Sequence, residues 1–234
     1  MKRLLPLFLL IAFTAPLRAQ YCNTLQGNKL HYKIWDSEYK AAYTDTILIA
    51  DVYTKDDTLV VRQKNLSTNE DPDISFHYSK DGATFVNLID SQSFSKIVEQ
   101  YITNLASKDT LSREKKEKIR KKQHASGNIR IPLYPQANNK NDFPETMFEY
   151  KFGPIKMKIT ADQGICEGKE TITTAAGTFE CLKVTYRLRY KMMFLSETSF
   201  FTEWYAEKIG LVKSVETNKK GRMESSKELL KIDL

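Results

Sequence analysis

The sequence has 234 residues, of which 41% are hydrophobic and 28% charged, the mix of an ordinary globular protein. This composition excludes a disordered or collagen-like chain, and with only nine Gly and seven Pro it also excludes a low-complexity one. The formal net charge is +7, and most of it comes from one block of basic residues at 113–124, whose net charge is 7 − 2 = +5. A nucleic-acid-binding protein usually spreads them over a face with interleaved aromatic residues, so nucleic acid is not the expected partner.

Residues 1–19 have the order of a secretory signal peptide. Two basic residues follow the initial Met, an apolar stretch covers 4–13, and the small Ala19 stands before the polar Gln20. We therefore expect export to the periplasm or the medium and a single mature domain over 20–234. A membrane anchor is disfavoured because the apolar stretch is about half of the roughly 20 residues that a spanning helix needs.

Three cysteines in an exported chain indicate one disulfide and one remaining thiol. The sequence alone allows each of the three pairings among Cys22, Cys166 and Cys181. A lipid anchor on Cys22 is disfavoured, because Tyr21 stands where lipoprotein processing prefers a small residue. The three His residues are scattered, and no cysteine spacing is typical of a zinc pair, so no metal site is expected.

The first part of the chain alternates between apolar and polar residues, the pattern of half-buried strands. It predicts strands at 30–35, 47–53, 59–62, 74–78 and 84–88. The second and third of these form one predicted hairpin, and the last two form another. Asp81 and Gly82 stand between the last two, and they supply the positive φ that a tight hairpin turn needs.

The pattern changes to helical spacing after Asp90 and Ser91. Apolar residues recur at positions 94, 97, 98, 101, 102 and 105, which predicts one amphipathic helix packed on a sheet. From Lys108 the apolar residues thin out, and 113–124 carries a local charge of +5. We expect a charged helical insertion at about 108–124 with a solvated face; the alternative is that it contacts an anionic surface such as lipid headgroups.

Strand patterns resume after Gly127. They predict strands at 129–131, 147–150, 155–159, 169–174, 178–190, 200–205, 211–217 and 223–232. Many short antiparallel strands with one interposed helix are typical of a mainly β protein. The expected fold is therefore a set of twisted antiparallel sheets that form a sandwich or a half-barrel.

Two segments of the C-terminal half resemble the TapB-like family of exported Gram-negative proteins, a domain of unknown function. They are GKETITTAAGTFEC at 168–181 and EWYAEKIGLVKS at 203–214. The chain departs from the family pattern at Ala175, where Pro is usual, and at 208–209, where Gly-Val is usual. The resemblance implies a twisted antiparallel architecture related to half-barrel envelope proteins.

The resemblance implies no catalytic residues, but it carries over Cys22 and Cys181 as a disulfide. Cys166 then remains as the additional thiol. Within the motifs, we interpret Trp204 and Tyr205 as large apolar anchors of the fold.

The familiar hydrolase, zincin and nucleotide-binding motifs are absent from the sequence. His31 and His77 could enter a catalytic triad, but each falls in a strand pattern opposite an apolar face, which favours a surface-strand role. The acidic run at 70–73 lacks calcium-loop spacing. We expect a non-enzymatic envelope protein, without cofactor, that binds a lipid or other apolar or amphipathic ligand, or an envelope-protein partner. A structural or assembly factor and a hydrolase with an unrecognised site are the alternatives.

The first testable prediction concerns the mature N-terminus. The exported protein should begin at or near Gln20, because the charged, apolar and small residues before it follow the order that signal peptidase recognises. Intact-mass measurement of the exported protein checks this. A chain that retains Met1, or one with a diacylated Cys22, would contradict it.

Overall fold

The computed structural model describes residues 20–38, 40–67, 74–79, 85–91, 95, 114, 123–133, 143–152, 155–192 and 194–234. Twelve strands account for most of them. They are β1 (Lys29–Asp36), β2 (Ala41–Lys55), β3 (Thr58–Asn65), β4 (Ile74–Ser79), β5 (Phe85–Asp90), β6 (Gln123–Pro132), β7 (Thr146–Phe152), β8 (Ile155–Thr174), β9 (Gly177–Met192), β10 (Leu195–Ala206), β11 (Gly210–Asn218) and β12 (Met223–Asp233). No helix within the described ranges is long and apolar enough to cross a bilayer.

Each strand pairs antiparallel with its neighbours in the chain, and β1 pairs with both β2 and β12. The result is one continuous sheet that curves round and closes as a barrel. Its weakest junction is that between β4 and β5, where only two residue pairs are in register. The prediction of a mainly β, antiparallel fold is confirmed. The sandwich alternative is wrong, because the strands form one sheet. The half-barrel alternative predicted a curved sheet, and in the structure this curved sheet closes into a barrel.

The amphipathic helix predicted after Asp90 and most of the charged helical insertion predicted at about 108–124 lie outside the described residues. The end of that insertion was placed wrongly, because Gln123 and His124 begin β6 and pair with Phe152 and Lys151 of β7.

Alternation along the strands separates an apolar interior from an outer face. On β9, residues 182, 184, 186 and 188 point into the main core, which also takes residues from the other side of the barrel, such as Leu30 and Val61. Neighbouring β9 residues Lys183 and Arg187 point outward and form ion pairs with β8 carboxylates. Side chains from all around the ring therefore contribute to the interior core.

The N-terminal segment, residues 20–28, plugs one end of the barrel. Lys208 N donates to Gln20 O at 2.6 Å, and Gly27 N donates to Ile49 O at 2.9 Å. Between these two anchors Tyr21 and Cys22 are buried in the main core. We call this end of the barrel the plug end. The opposite end, which carries the β9–β10 and β11–β12 turns, is called the far end.

Gly210 is the residue that lets the plug approach the β10–β11 turn. Its φ is +91°, in the region that favours glycine, and a Cβ placed on it would lie 3.6 Å from Cys22 Cα. The glycine of the EWYAEKIGLVKS motif therefore serves both the turn and the seat of the N-terminal segment.

The second testable prediction concerns Tyr21. Its side chain is 1% exposed, and its hydroxyl has no hydrogen-bond partner among the described residues. Tyr21→Ala should lower the free energy of unfolding by about 3–5 kcal/mol, as other buried aromatic truncations do. Tyr21→Phe should leave it unchanged or raise it, because the substitution removes only a buried, unsatisfied polar atom.

Urea denaturation of both variants measures these changes. A Tyr21→Phe protein that is clearly less stable than the wild type would show that the hydroxyl has a partner. A Tyr21→Ala protein of unchanged stability would show that the segment does not close the barrel.

Candidate functional site

A cavity of about 220 Å³ lies inside the barrel, next to the plug. Four aromatic rings contribute to its wall, and two charged side chains lie among them. These six residues are Tyr32, Phe76, Tyr78, Tyr205, Glu203 and Lys227. Asn23 of the plug and Gly210 of the β10–β11 turn also line the cavity. The N-terminal segment thus shapes the cavity as well as closing the barrel.

Strand register explains why the two charges face the same space. Glu203 pairs with Ser214 across β10 and β11, and Ser214 pairs with Lys227 across β11 and β12. Directly paired residues point to the same face of a sheet. Since neighbouring strands lie about 4.8 Å apart, the Glu203 and Lys227 backbones are separated by about 10 Å, with the small Ser214 between them.

Hydroxyl groups surround the Glu203 carboxylate, which is 7% exposed. Tyr205 Oη donates to Oε2 at 2.6 Å, and Ser214 Oγ donates to Oε1 at 3.4 Å. Tyr186 is a third hydroxyl donor. Burial raises the pKa of Glu203, and the hydrogen bonds from these three hydroxyls offset part of that rise.

Lys227 is held by an aromatic ring and not by a close carboxylate. Its Nζ lies 4.3 Å from the centroid of the Tyr32 ring, within cation–π distance. Within the described part of the chain, no carboxylate forms an ion pair with it. Burial lowers the pKa of Lys227, while the negative charges of Asp45 and Glu203 act in the opposite direction. The ammonium therefore has donor capacity directed at the cavity.

The tyrosines around the cavity remain neutral hydrogen-bonding groups. Burial raises the pKa of Tyr32, Tyr78 and Tyr205, so each keeps its hydroxyl proton at neutral pH. Tyr32 Oη donates to Leu211 O at 2.8 Å, which fixes the ring beneath Lys227. The site combines aromatic walls, a positioned carboxylate and an ammonium, a set typical of a binding site for an amphipathic molecule.

The three cysteines lie in two different environments. Cys22 and Cys166 are buried in the main core, whereas Cys181 is buried in a small cluster with Ala206 and Val212 on the outer face. Burial raises the pKa of the Cys22 thiol to about 12 and that of Cys181 to about 11. No disulfide joins any two of them in the structure, and the Cys22–Cys181 disulfide stays a prediction.

The strands predicted at 169–174 and 178–190 lie in β8 and β9, which pair as a long hairpin. Cys181 pairs with Glu170, and Cys166 pairs with Val184. Cys166 Sγ donates to Pro132 O at 3.4 Å. Cys166 and Cys181 are thus separated along the hairpin.

His31 lies on the outer face, as its strand pattern predicted. Its Nε2 is 2.9 Å from Asp233 Oδ2, and its Nδ1 is 2.9 Å from Thr46 Oγ1. These contacts tie β12, β1 and β2 together at the closing junction of the barrel. His77 lies on β4, and the acidic run at 70–73 lies outside the described residues.

The anchor interpretation fits Tyr205, which is buried in the core. Trp204 points the other way, where its Nε1 donates to Glu170 Oε2 at 3.1 Å and Lys213 lies over its ring. Within the part of the chain that the structure describes, no three His, Cys, Asp or Glu residues could hold a metal ion together.

Sequence reasoning missed Glu203 and Lys227. Glu203 is part of the motif at 203–214 but was interpreted only as architecture, and Lys227 was one residue in an alternating strand. The available signal was strand alternation, because every second residue of a strand points to the same face of the sheet. Lys227 shares a face with the core residue Leu229, and Glu203 shares a face with Tyr205, so both charges had to point inward.

The third testable prediction follows from the raised pKa of Glu203. The folded state then holds a proton that the unfolded state has released, so stability falls as the pH rises above the ordinary glutamate pKa of 4.5. Glu203→Gln cannot titrate. The stability of the variant should therefore not show this decrease. The melting temperature of the variant minus that of the wild type should increase between pH 4.5 and neutrality.

Thermal unfolding across this pH range gives the difference curve. Glu197→Gln, on the exposed beginning of β10, removes the same charge from the surface and is the matched control. A flat difference for Glu203→Gln would contradict the buried, raised-pKa carboxyl.

Comparisons with known proteins agree with this architecture. The family model described as DUF3108-like matches residues 25–229. No curated protein matches the sequence significantly. A crystal structure provisionally described as a lipoprotein from Parabacteroides distasonis is 18% identical, with a TM-score of 0.58, and the match covers 92% of this chain and 99% of that chain.

A second crystal structure is provisionally described as an exported protein with a YmcC-like fold from Bacteroides fragilis. It is 15% identical, with a TM-score of 0.59 and a match over 92% of this chain and 100% of that chain. These two likenesses show the fold. The family match covers most of the chain, and the chain therefore belongs to the DUF3108-like family.

Proposed function

We propose that this protein is a non-enzymatic protein of the cell envelope, exported to the periplasm or the medium, that binds a small amphipathic ligand inside its barrel. The observation that carries the proposal is the aromatic-walled cavity with Glu203 and Lys227 on its wall. Two structural relatives described as an exported protein and a lipoprotein support the location. The two motifs at 168–181 and 203–214 support the narrower assignment to the TapB-like family.

The size of the cavity limits what it can hold. Its volume of about 220 Å³ exceeds the roughly 150 Å³ of an engineered apolar cavity that takes up benzene. A ligand of one or two rings, or the end of a longer chain, fits this space. A whole phospholipid does not.

The charges limit the chemistry of the ligand. Glu203 has its hydroxyl donors, whereas Lys227 has a ring beneath it and no close carboxylate in the described structure. An acidic group on the ligand would complete the contacts of Lys227, and the apolar body would lie against Tyr78 and Phe76. We therefore propose an acidic ligand with an apolar body.

Two alternatives remain from the sequence. A structural or assembly factor of the envelope would need no ligand in the cavity. For a hydrolase, Glu203 is the candidate acid among the described residues, because its burial and raised pKa are features that catalytic carboxyls share. Native mass spectrometry of protein purified from the periplasm distinguishes the proposed ligand binder from an assembly factor. A ligand binder should retain a bound small molecule, and an assembly factor should not.

The fourth testable prediction uses a matched pair of probes. The anion 2-naphthoate and the neutral 2-naphthamide have nearly the same shape, and both fit the cavity by size. Wild-type protein should bind the naphthoate more tightly in isothermal titration calorimetry. Lys227→Met should weaken naphthoate binding by about 10- to 100-fold, as expected for loss of a charge-assisted hydrogen bond, with little effect on the amide.

A cavity-filling variant provides the control for location. Val86 lines the cavity and is 1% exposed, so Val86→Phe should fold and lose both probes. Val215→Phe makes the same change on the outer face of β11 and should bind as the wild type does. Retained binding by Val86→Phe would place the probe elsewhere and contradict the proposal.

A further inference from the structure

Three large apolar side chains are exposed together at the far end of the barrel. They lie at the tip of the β9–β10 hairpin, where Met192 is 43%, Phe194 87% and Leu195 57% exposed. Single exposed apolar residues are ordinary, but a cluster at a projecting tip marks an interaction site. None of the three belongs to the core clusters of the barrel or packs against them.

A shallow groove of about 290 Å³ adjoins this tip. One side is formed by β10 from Ser196, the residue after Leu195, and the other by the β11–β12 turn with Lys219, Lys220 and Arg222. Glu197 also lines it, so its formal charge is 3 − 1 = +2. Within the described chain none of the three cations forms an ion pair with a carboxylate.

The turn that carries these cations is held in shape by Asn218. Its Oδ1 accepts hydrogen bonds from Lys220 N at 2.9 Å and Arg222 N at 3.2 Å, and its side-chain amide also contacts Glu224. The positive groups therefore project from a fixed backbone.

Cations also flank the tip on its other side. Lys191 of β9 pairs with Lys158 of β8 and with Ser196 of β10, and Lys191 is exposed. The apolar tip is thus bordered by lysines on one side and by the basic groove on the other. This order, an apolar centre with a basic rim, complements an anionic phospholipid surface, whose negative headgroups overlie an apolar layer.

We propose that the far end of the barrel docks on the surface of an anionic phospholipid bilayer. Phe194 and Leu195 enter the boundary between headgroups and acyl chains, while Lys219, Lys220 and Arg222 contact lipid phosphates. A protein partner or a second copy fits less well, because a stable interface buries about 800 Å² on each side and a projecting tip of three side chains offers much less flat apolar area. The proposal does not depend on a ligand in the cavity, which lies toward the plug end.

Co-sedimentation of the exported protein with vesicles tests the proposal. The wild type should bind to vesicles of phosphatidylcholine mixed with phosphatidylglycerol, and it should bind much more weakly to vesicles of phosphatidylcholine alone. Added salt should weaken binding, since the cationic contacts are screened. Phe194→Ser with Leu195→Ser, and separately Lys219→Glu with Lys220→Glu, should each weaken binding by at least about tenfold.

Two matched substitutions at the plug end serve as controls. Leu25→Ser removes an equally exposed leucine, 59% exposed, and Lys55→Glu reverses an exposed charge; both should bind as the wild type does. All the changed residues are exposed, and circular dichroism confirms that each variant is folded. Wild-type protein that fails to bind the mixed vesicles, or tip variants that bind as well as the controls, would overturn the proposal, as would a tip-dependent dimer without vesicle binding.

Discussion

The pairing of β1 with both β2 and β12 is the constraint on which the rest of the structure depends. The contacts of β1 join the first strand to the last, Lys29 to Asp233 and Asp36 to Ser225. A sheet closed in this way has an inside, and without closure the face that carries Glu203 and Lys227 would be open to water. His31 reinforces the same junction from outside through Asp233 and Thr46.

Closure makes the interior charges costly, and the neighbouring residues determine how that cost is met. A buried carboxylate without donors would be strongly destabilising, but Glu203 accepts hydrogen bonds from Tyr205 and Ser214. Lys227 is stabilised in another way, because the Tyr32 ring attracts its ammonium group without occupying the hydrogen-bond donors of that group. The pair is therefore asymmetric, with one charge satisfied inside the protein and the other still able to take a partner.

The sequence was enough to predict nearly every strand and the antiparallel hairpins, because alternation and turn residues are local signals. The closed ring was not predictable in the same way. It depends on one pairing between the first and last strands, β1 and β12, for which Leu30 and Leu229 carry no distinctive pattern. Lys227 was missed because a lysine in an alternating strand usually faces water, and only the parity set by Leu229 shows that it points inward.

Period-two alternation also explains how one short motif can serve two faces of the sheet. In the sequence Glu203-Trp204-Tyr205-Ala206, the odd positions enter the cavity wall and the even positions build the outer cluster that buries Cys181. A one-residue shift of β10 would put Glu203 outside and Trp204 inside, and would break the hydrogen bonds that both side chains make. The Trp204–Glu170 hydrogen bond on the outside and the Tyr205–Glu203 hydrogen bond on the inside oppose that shift from both faces. The same four residues, which open the motif at 203–214, thus fix the register on which the cavity depends.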